Sequence, residues 1–192
     1  VTGQATQTVD PATPPTGQAY TRTTYNTYNN SNEQAVVLGN NVTMQDTVTA
    51  TGQIVSDPAS KVALNGDVTS TAGIGTVTTE QFDASNTQTG KTVIDSMDDS
   101  VSGGIILGET TAGAGLKTEG GNISLGDNSI LDGTTVSAES ADLNKTVYSN
   151  DGGSWNTIAS TEKLGTIEGS VTLGENTTVK GNSTLTADDN IA

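Results

Sequence analysis

The sequence contains no histidine and no cysteine, and each absence removes whole classes of chemistry. Without histidine there is no imidazole base, no Ser-His or Cys-His nucleophile and no histidine-ligated metal. Without cysteine there are no disulfides, no thiolate catalysis and no thiolate metal site. Aromatic residues form only 3% of the chain, so platforms for stacking sugars are scarce as well. We therefore expect no enzyme activity, no metal site and no organic cofactor.

Positive charge is also scarce. Lysine and arginine number 7 against 22 acidic residues, which gives a net charge of −15 over 192 residues. Arg22 is the only arginine, and the lysines are scattered singly along the chain. Phosphate binding depends on clustered lysine and arginine, so this composition excludes nucleic acid as a partner. No apolar run approaches the roughly 18 residues that a membrane-spanning helix needs, and we expect no membrane span.

The segment 1–34 differs in composition from the rest of the chain. Three of the four prolines, Pro11, Pro14 and Pro15, lie here, and proline favours extended backbone both at its own position and at the residue before it. The following stretch from Ala19 to Tyr28 has the alternation of a single strand. We predict that residues 1–34 form an extended N-terminal arm containing a tyrosine-rich strand.

From residue 35 a short unit recurs, with the form apolar-x-Leu-Gly-(Asp/Glu/Asn)-(Asn/Thr). Its copies contain the leucines at positions 38, 107, 125 and 173, and a degenerate copy contains the leucine at 64. We interpret the successive intervals between the four Leu-Gly pairs as three, one and two periods of about 18–24 residues. Such a repeat is typical of a β-solenoid with Gly and Asn at its corners.

The sequence thus predicts an all-β fold, with residues 35–192 forming a β-rich repeat domain of solenoid-like coils. The leucines of the repeats are expected to be buried at equivalent places in successive coils: Leu38, Leu64, Leu107, Leu125 and Leu173. A β-sandwich or jelly roll is the alternative, because strands at regular spacing with turn signals fit that fold as well. Residues 76–102 break the repeat and are interpreted as an inserted loop or short helix.

Two further residue types are candidate sites. Carboxylates cluster at Asp95, Asp98 and Asp99 and at Asp188 and Asp189, but no calcium-loop spacing is present, so we interpret them as solvated surface charge. Asn-x-Ser/Thr sequons offer possible glycosylation at Asn29, Asn41, Asn122, Asn144, Asn176 and Asn182. The alternative interpretation of these asparagines is that they serve as corner residues of the coils.

The Leu-Gly-Asp/Glu-Asn repeats give residues 35–192 a likeness to a broad class of proteins. The chain resembles secreted, repetitive surface proteins of microbes, namely β-solenoid adhesins and subunits of extracellular filaments. The resemblance implies a structural or adhesive role at the cell surface or outside the cell. It identifies no individual functional residue. The opening Val1-Thr2-Gly3, without an initiator methionine, is what a processed, secreted form would show.

Our leading hypothesis is a structural subunit that polymerises with itself into an extracellular filament. The arm would add a strand to a neighbouring subunit, with Tyr20, Arg22, Tyr25 and Tyr28 as its contact residues. The alternative for the arm is packing on its own domain. Rival functions are an adhesin that recognises surface glycans and a carbohydrate-active enzyme. The enzyme would need a pair of positioned carboxylates.

Overall fold

The computed structural model describes residues 5–28 and 34–192, apart from the side chains of residues 5–6, 28 and 97–99. The described residues contain strands and no helix, which confirms the predicted all-β fold. In chain order the strands are β1 (Ala5–Asp10), β2 (Tyr20–Tyr28), β3 (Gln34–Leu38), β4 (Val42–Met44), β5 (Val48–Thr51), β6 (Gln53–Ser56), β7 (Lys61–Leu64), β8 (Val68–Thr71), β9 (Gly73–Phe82), β10 (Gln88–Val101), β11 (Gly103–Leu107), β12 (Glu109–Ala112), β13 (Leu116–Glu119), β14 (Gly121–Leu125), β15 (Ile130–Asp132), β16 (Thr135–Glu139), β17 (Ala141–Asp151), β18 (Ser154–Ile167), β19 (Val171–Leu173), β20 (Thr178–Lys180) and β21 (Thr184–Ala187).

Most of these strands are organised as five coils of three short strands each. Coil 1 is β3–β5, coil 2 is β6–β8, coil 3 is β11–β13, coil 4 is β14–β16 and coil 5 is β19–β21. Each coil adds one strand to each of three sheets, here called faces 1, 2 and 3, and the coils follow one another in chain order. The pairing between coils is parallel throughout. Stacked coils produce this pairing and antiparallel sandwiches do not, so it favours the coil interpretation.

The register shows how the chain advances from one coil to the next. Val36 pairs with Ile54 and Ile105 pairs with Ile123, so the steps from coil 1 to coil 2 and from coil 3 to coil 4 are equal in length. The steps from Ile54 to Ile105 and from Ile123 to Val171 are each more than twice as long.

The interpretation of the longer Leu-Gly intervals as three and two periods was therefore wrong. Leu38 and Leu107 are two coils apart, and Leu125 and Leu173 are one coil apart. An inserted hairpin lies between the members of each pair and accounts for the extra length.

Inward-facing side chains of successive coils stack to form a narrow core. On face 1 the core column is Val36, Ile54, Ile105, Ile123 and Val171. The last four of these are buried, whereas Val36, at the end of the stack, is only partly buried. Removing such side chains from water at about 25 cal/mol per Å² is the main stabilising contribution to a core of this kind.

The repeat leucines fall into two columns and not one. Leu107, Leu125 and Leu173 belong to the Leu-Gly column of face 1, and Leu38 occupies the same place in coil 1, where it pairs with Ser56. Leu64 is fully buried but lies on face 2, between Met44 and Ala112. In that degenerate copy the glycine follows the leucine by two residues, so the resemblance to the Leu-Gly unit is accidental.

The corners depend on asparagine for backbone geometry and on glycine for space. Asn41, Asn128 and Asn176 all have positive φ, between 58° and 61°. A Cβ at Gly126 would lie 2.7 Å from the carbonyl carbon of Gly108 in the preceding coil, and one at Gly174 would lie 2.7 Å from the Cα of Asp127. The corner glycines are therefore required by the close approach of neighbouring coils.

The two insertions and the N-terminal strands build a fourth sheet, here called the lateral sheet. Its strand order is β1-β2-β9-β10-β17-β18, and its pairing is antiparallel. The hairpin β9–β10 leaves the stack after coil 2 and returns at coil 3, while β17–β18 does the same between coils 4 and 5. Residues 76–102, interpreted from sequence as a loop or short helix, thus belong mostly to this hairpin.

The corner packing leads to a stability prediction. Gly126→Ala should lower the free energy of unfolding by about 1–3 kcal/mol, because its Cβ overlaps backbone that cannot move aside. The matched control is Gly113→Ala, since a Cβ there meets only the Asp132 carbonyl oxygen at 3.9 Å. Thermal denaturation followed by circular dichroism compares the two, and equal melting temperatures would contradict the packing argument.

Candidate assembly surfaces

The predicted arm strand, β2, packs on β9 of its own chain. The Tyr20 ring stacks on the Phe82 ring, with centroids 4.8 Å apart and an interplanar angle of 7°. The Tyr20 hydroxyl also donates a hydrogen bond of 2.6 Å to Asn86 Oδ1. Arg22 donates to Glu80 Oε2 from Nε at 2.9 Å and from Nη2 at 2.6 Å, and its Cζ lies 5.0 Å from the Phe82 centroid.

The other two predicted contact tyrosines are less engaged. Tyr25 is in register with Val77 of β9 and is exposed. Tyr28 pairs with Ala5 of β1 at the end of the strand, and its side chain lies outside the described residues. Anchoring of the arm is therefore concentrated at Tyr20 and Arg22. Within one chain the arm adopts the self-packed alternative.

Five strands of the lateral sheet, β2 to β18 in its strand order, each lie at the level of one coil. Chain connections place β9 at the level of coil 2, β10 at coil 3, β17 at coil 4 and β18 at coil 5, and the strand order then places β2 at the level of coil 1. β1 is the sixth strand and so projects one strand beyond coil 1. The opposite edge is β18, whose Ile158 and Leu164 are exposed. An antiparallel edge is therefore open at each end of this sheet.

The three coil faces also end in edge strands, of which β19 is covered by residues 190–192. The strands of coil 1 contain no charged residue, and those of coil 5 contain only Lys180. Inner coils carry charges such as Lys61, Glu109 and Lys117 in their strands. Val179 is in register with the buried Leu131 but is 44% exposed, because no further strand covers face 2 beyond it.

The sequon asparagines lie at several kinds of site. Asn41, Asn176 and Asn182 are exposed corner residues with positive φ. Asn122 is exposed, and its Oδ1 accepts a hydrogen bond of 2.9 Å from the Ser170 backbone nitrogen. Asn144 is half-buried in the lateral sheet. Asn29 lies outside the described residues.

Acidic side chains near the end of the lateral sheet share a depression of about 570 Å³. Its three aspartates have structural partners among the described residues. Asp142 pairs with Lys163 at 2.6 Å, Asp188 accepts from the Ser140 backbone nitrogen at 2.8 Å, and Asp189 accepts from Ser170 Oγ at 2.8 Å. Within the described chain, no group of three or more carboxylates is arranged to hold a metal ion.

The other acidic cluster of the sequence lies on β10. Asp95 accepts a hydrogen bond of 2.8 Å from the Asn144 backbone nitrogen of β17, so it joins two strands of the lateral sheet. The side chains of Asp98 and Asp99 lie outside the described residues.

One lysine shows an electrostatic perturbation. Lys117 on face 3 donates to Glu119 at 2.9 Å and lies 3.3 Å from Glu139 of the next coil. These hydrogen bonds raise the pKa of Lys117 above its ordinary value. The group is solvent-exposed and tied to structural neighbours, so it forms a bridge between two coils.

Comparison with protein-family models, curated proteins and solved structures finds no match to this chain. Over residues 5–28 and 34–192, none of the secondary structure is a helix capable of crossing a bilayer. The role of the assembly surfaces therefore has to be inferred from their own geometry.

Sequence reasoning predicted contact residues in the arm but missed the surface of the same chain on which Tyr20 and Arg22 pack. Glu80 and Phe82 were assigned to a loop or short helix, and nothing marked them as partners of Arg22 and Tyr20. The one available signal was composition. Phe82 is the only phenylalanine, and it stands in a polar stretch where no repeat core needs it.

The ion pair leads to a prediction about the arm. Glu80→Gln should loosen β2, because a partly buried charged partner of Arg22 becomes neutral; an exchange of this kind costs about 1 kcal/mol. Hydrogen–deuterium exchange should show faster exchange of the β2 amides. Glu109→Gln, which removes the more exposed pair with Lys61, is the control and should leave β2 unchanged. Identical β2 exchange in both variants would mean that the pair does not hold the arm.

Proposed function

We propose that this protein is a structural subunit of a homopolymeric extracellular filament, with an N-terminal arm, residues 1–34, exchanged between neighbouring subunits. The observation that carries the proposal is the low charge of the strands at the two ends of the coil stack: the strands of coil 1 have no charged residue and those of coil 5 have only Lys180, in a chain of net charge −15. The same surfaces support the proposal of a structural role over a catalytic one.

Open edges normally carry protection against association. Proteins protect them with lysine, proline, bulges or covering segments, because unpaired backbone groups recruit other strands. Here the edge strands of coil 1 carry no charge or proline. Inner strands such as β7, β12 and β13 carry charged residues, whereas the strands of coil 5 carry only Lys180. This distribution supports use of the edges for assembly.

The packing of the arm supports exchange as the joining step. β2 touches the rest of the molecule mainly through one strand edge of β9 and the anchors Tyr20 and Arg22. A second copy presents the same β9 edge with the same Phe82 and Glu80. Contacts made within one chain can therefore be made between two chains, which is the basis of domain swapping.

The adhesin function has one observation in its favour. Lys91 Nζ lies 4.6 Å from the Tyr148 ring centroid and donates to the Trp155 carbonyl oxygen at 3.3 Å. Aromatic residues beside a lysine are suited to a sugar ring, and tryptophan fluorescence titration with oligosaccharides would test it. We rank this function second because all three residues are half-buried and already engaged with one another.

A cysteine pair tests arm exchange directly in the full chain. Thr23 of β2 lies directly opposite Thr79 of β9, and the natural sequence has no cysteine to interfere. Directly opposed strand residues lie within disulfide range. We expect Thr23→Cys combined with Thr79→Cys, oxidised under polymerising conditions, to give a ladder of covalent oligomers on non-reducing gels. Each single cysteine variant is the control and can form dimers at most.

Negative-stain microscopy of the same samples separates the two parts of the proposal. Filaments together with a covalent ladder support it in full. Filaments with only an internally cross-linked monomer would refute arm exchange but keep the polymer. Discrete particles at every protein concentration would refute the filament itself.

A further inference from the structure

The Leu-Gly unit of coil 1 contains a glycine that the described part of its own chain does not require. In coils 3, 4 and 5 the Cβ direction at Gly108, Gly126 and Gly174 points into backbone of the preceding coil, at distances below 3 Å. Gly39 occupies the same place in coil 1. Among the described residues a Cβ there would meet only Val42 Cγ2, at 3.9 Å, and the φ of Gly39 is not positive. Neither the space around Gly39 among the described residues nor its backbone conformation requires glycine at this position.

We propose that coil 1 docks on coil 5 of a second copy and continues the coil stack across the junction. Gly39 would then lie over Gly174 of the partner subunit, as Gly174 lies over Gly126 within one chain. The inference rests on the proposed filament function and assigns the surface that joins its subunits. It fixes the polarity of the contact as head to tail, which propagates unless the rotation closes a ring.

Core columns match at the two ends. Continuation of the register would place Val36 over the partner's Val171, Met44 over the partner's Val179 and Val48 over the partner's Leu185. Every one of these side chains is apolar and faces the core. Val36, Val48 and Leu185 are only half-buried in the single chain, and Val179 is exposed. Stacking would complete their burial.

Corner hydrogen bonds also extend across this junction. Within one chain Asp127 Oδ1 accepts a 2.7 Å hydrogen bond from the Glu175 backbone nitrogen in the next coil, and Asn40 Oδ1 accepts one of 3.0 Å from that of Lys61. By the same relation, Glu175 of the partner subunit would face the backbone of Asn40. Asn40 is the uncharged residue at this place of the repeat, so the contact brings no like charges together.

Two segments must move for the junction to form. Residues 190–192 pair with β19, through Val171 N to Asn190 O at 2.8 Å and Leu173 N to Ala192 O at 2.9 Å, and β3 of the second copy would replace them. β1 projects one strand beyond coil 1 and so takes the level that β18 of the partner would occupy. Docking of the coils would therefore displace β1, and because β1 is part of the arm, docking and release of the arm are linked.

Gly39→Ala tests the junction in the full chain, with Gly113→Ala as the matched control on an inner coil. A methyl group at 39 should leave the monomer melting temperature unchanged and raise the concentration needed for polymerisation at least about tenfold, because it overlaps partner backbone. Gly113→Ala should change neither quantity. Sedimentation and electron microscopy give the polymer measurement. Equal polymerisation of Gly39→Ala and wild type would overturn the proposed junction.

A cross-linking experiment provides a measurement that does not need filaments. Asn40→Cys mixed with Glu175→Cys should form a disulfide between two chains, because stacked coils place equivalent residues about 4.8 Å apart. Asn40→Cys mixed with Lys61→Cys is the control and should not cross-link beyond background. Specific cross-linking without filaments would support the junction and refute the filament. Filaments without this cross-link would refute the junction and leave the filament proposal standing.

Discussion

The close approach of one coil to the next is the constraint on which the rest of this structure depends. Parallel strands must lie about 4.8 Å apart at every face, and at the corners this leaves no room for a Cβ at Gly108, Gly126 or Gly174. Once those positions are glycine and the neighbouring asparagines accept positive φ, the inward side chains fall into register columns. The narrow core, the equal coil lengths outside the insertions and the equivalent edges at both ends all follow.

The all-β fold was predictable from the sequence because threonine, valine and Gly-Asn corners form a recognisable residue pattern in a coil. The Leu-Gly unit, together with the backbone preferences of the glycine and asparagine residues that follow its leucine, located the face 1 corners of coils 1, 3, 4 and 5. Coil 2 was misaligned, because Ser56 replaces the leucine there and the nearby Leu64 imitates it. The lateral sheet could not be predicted, since the pairings of β2 with β9 and of β10 with β17 join segments far apart in sequence without any shared motif.

The candidate assembly surfaces, like the fold, were only partly predictable from the sequence. Tyr20 and Arg22 stood out because aromatic and arginine residues are rare in this chain, but Phe82 and Glu80 are recognisable as their partners only after the register is known. The uncharged edges of coil 1 are readable from sequence only once the strands are assigned to edges. Gly39 was indistinguishable from the other repeat glycines until its surroundings showed that nothing in the described chain requires it.

In the assembly proposed above, docking of the coil ends and release of the arm are linked, and this link would keep the acidic chain monomeric until it assembles. In the single chain β1 covers the edge of β2 and residues 190–192 cover the edge of β19, so one edge at each end of the molecule is occupied. The proposed docking of two coil ends would require both covers to leave. The released β1 would then have no place on its own subunit, and strand addition to a neighbour would restore its lost hydrogen bonds. Assembly by the proposed route would convert the β1–β2 pairing and the pairing of residues 190–192 with β19 into pairings between subunits.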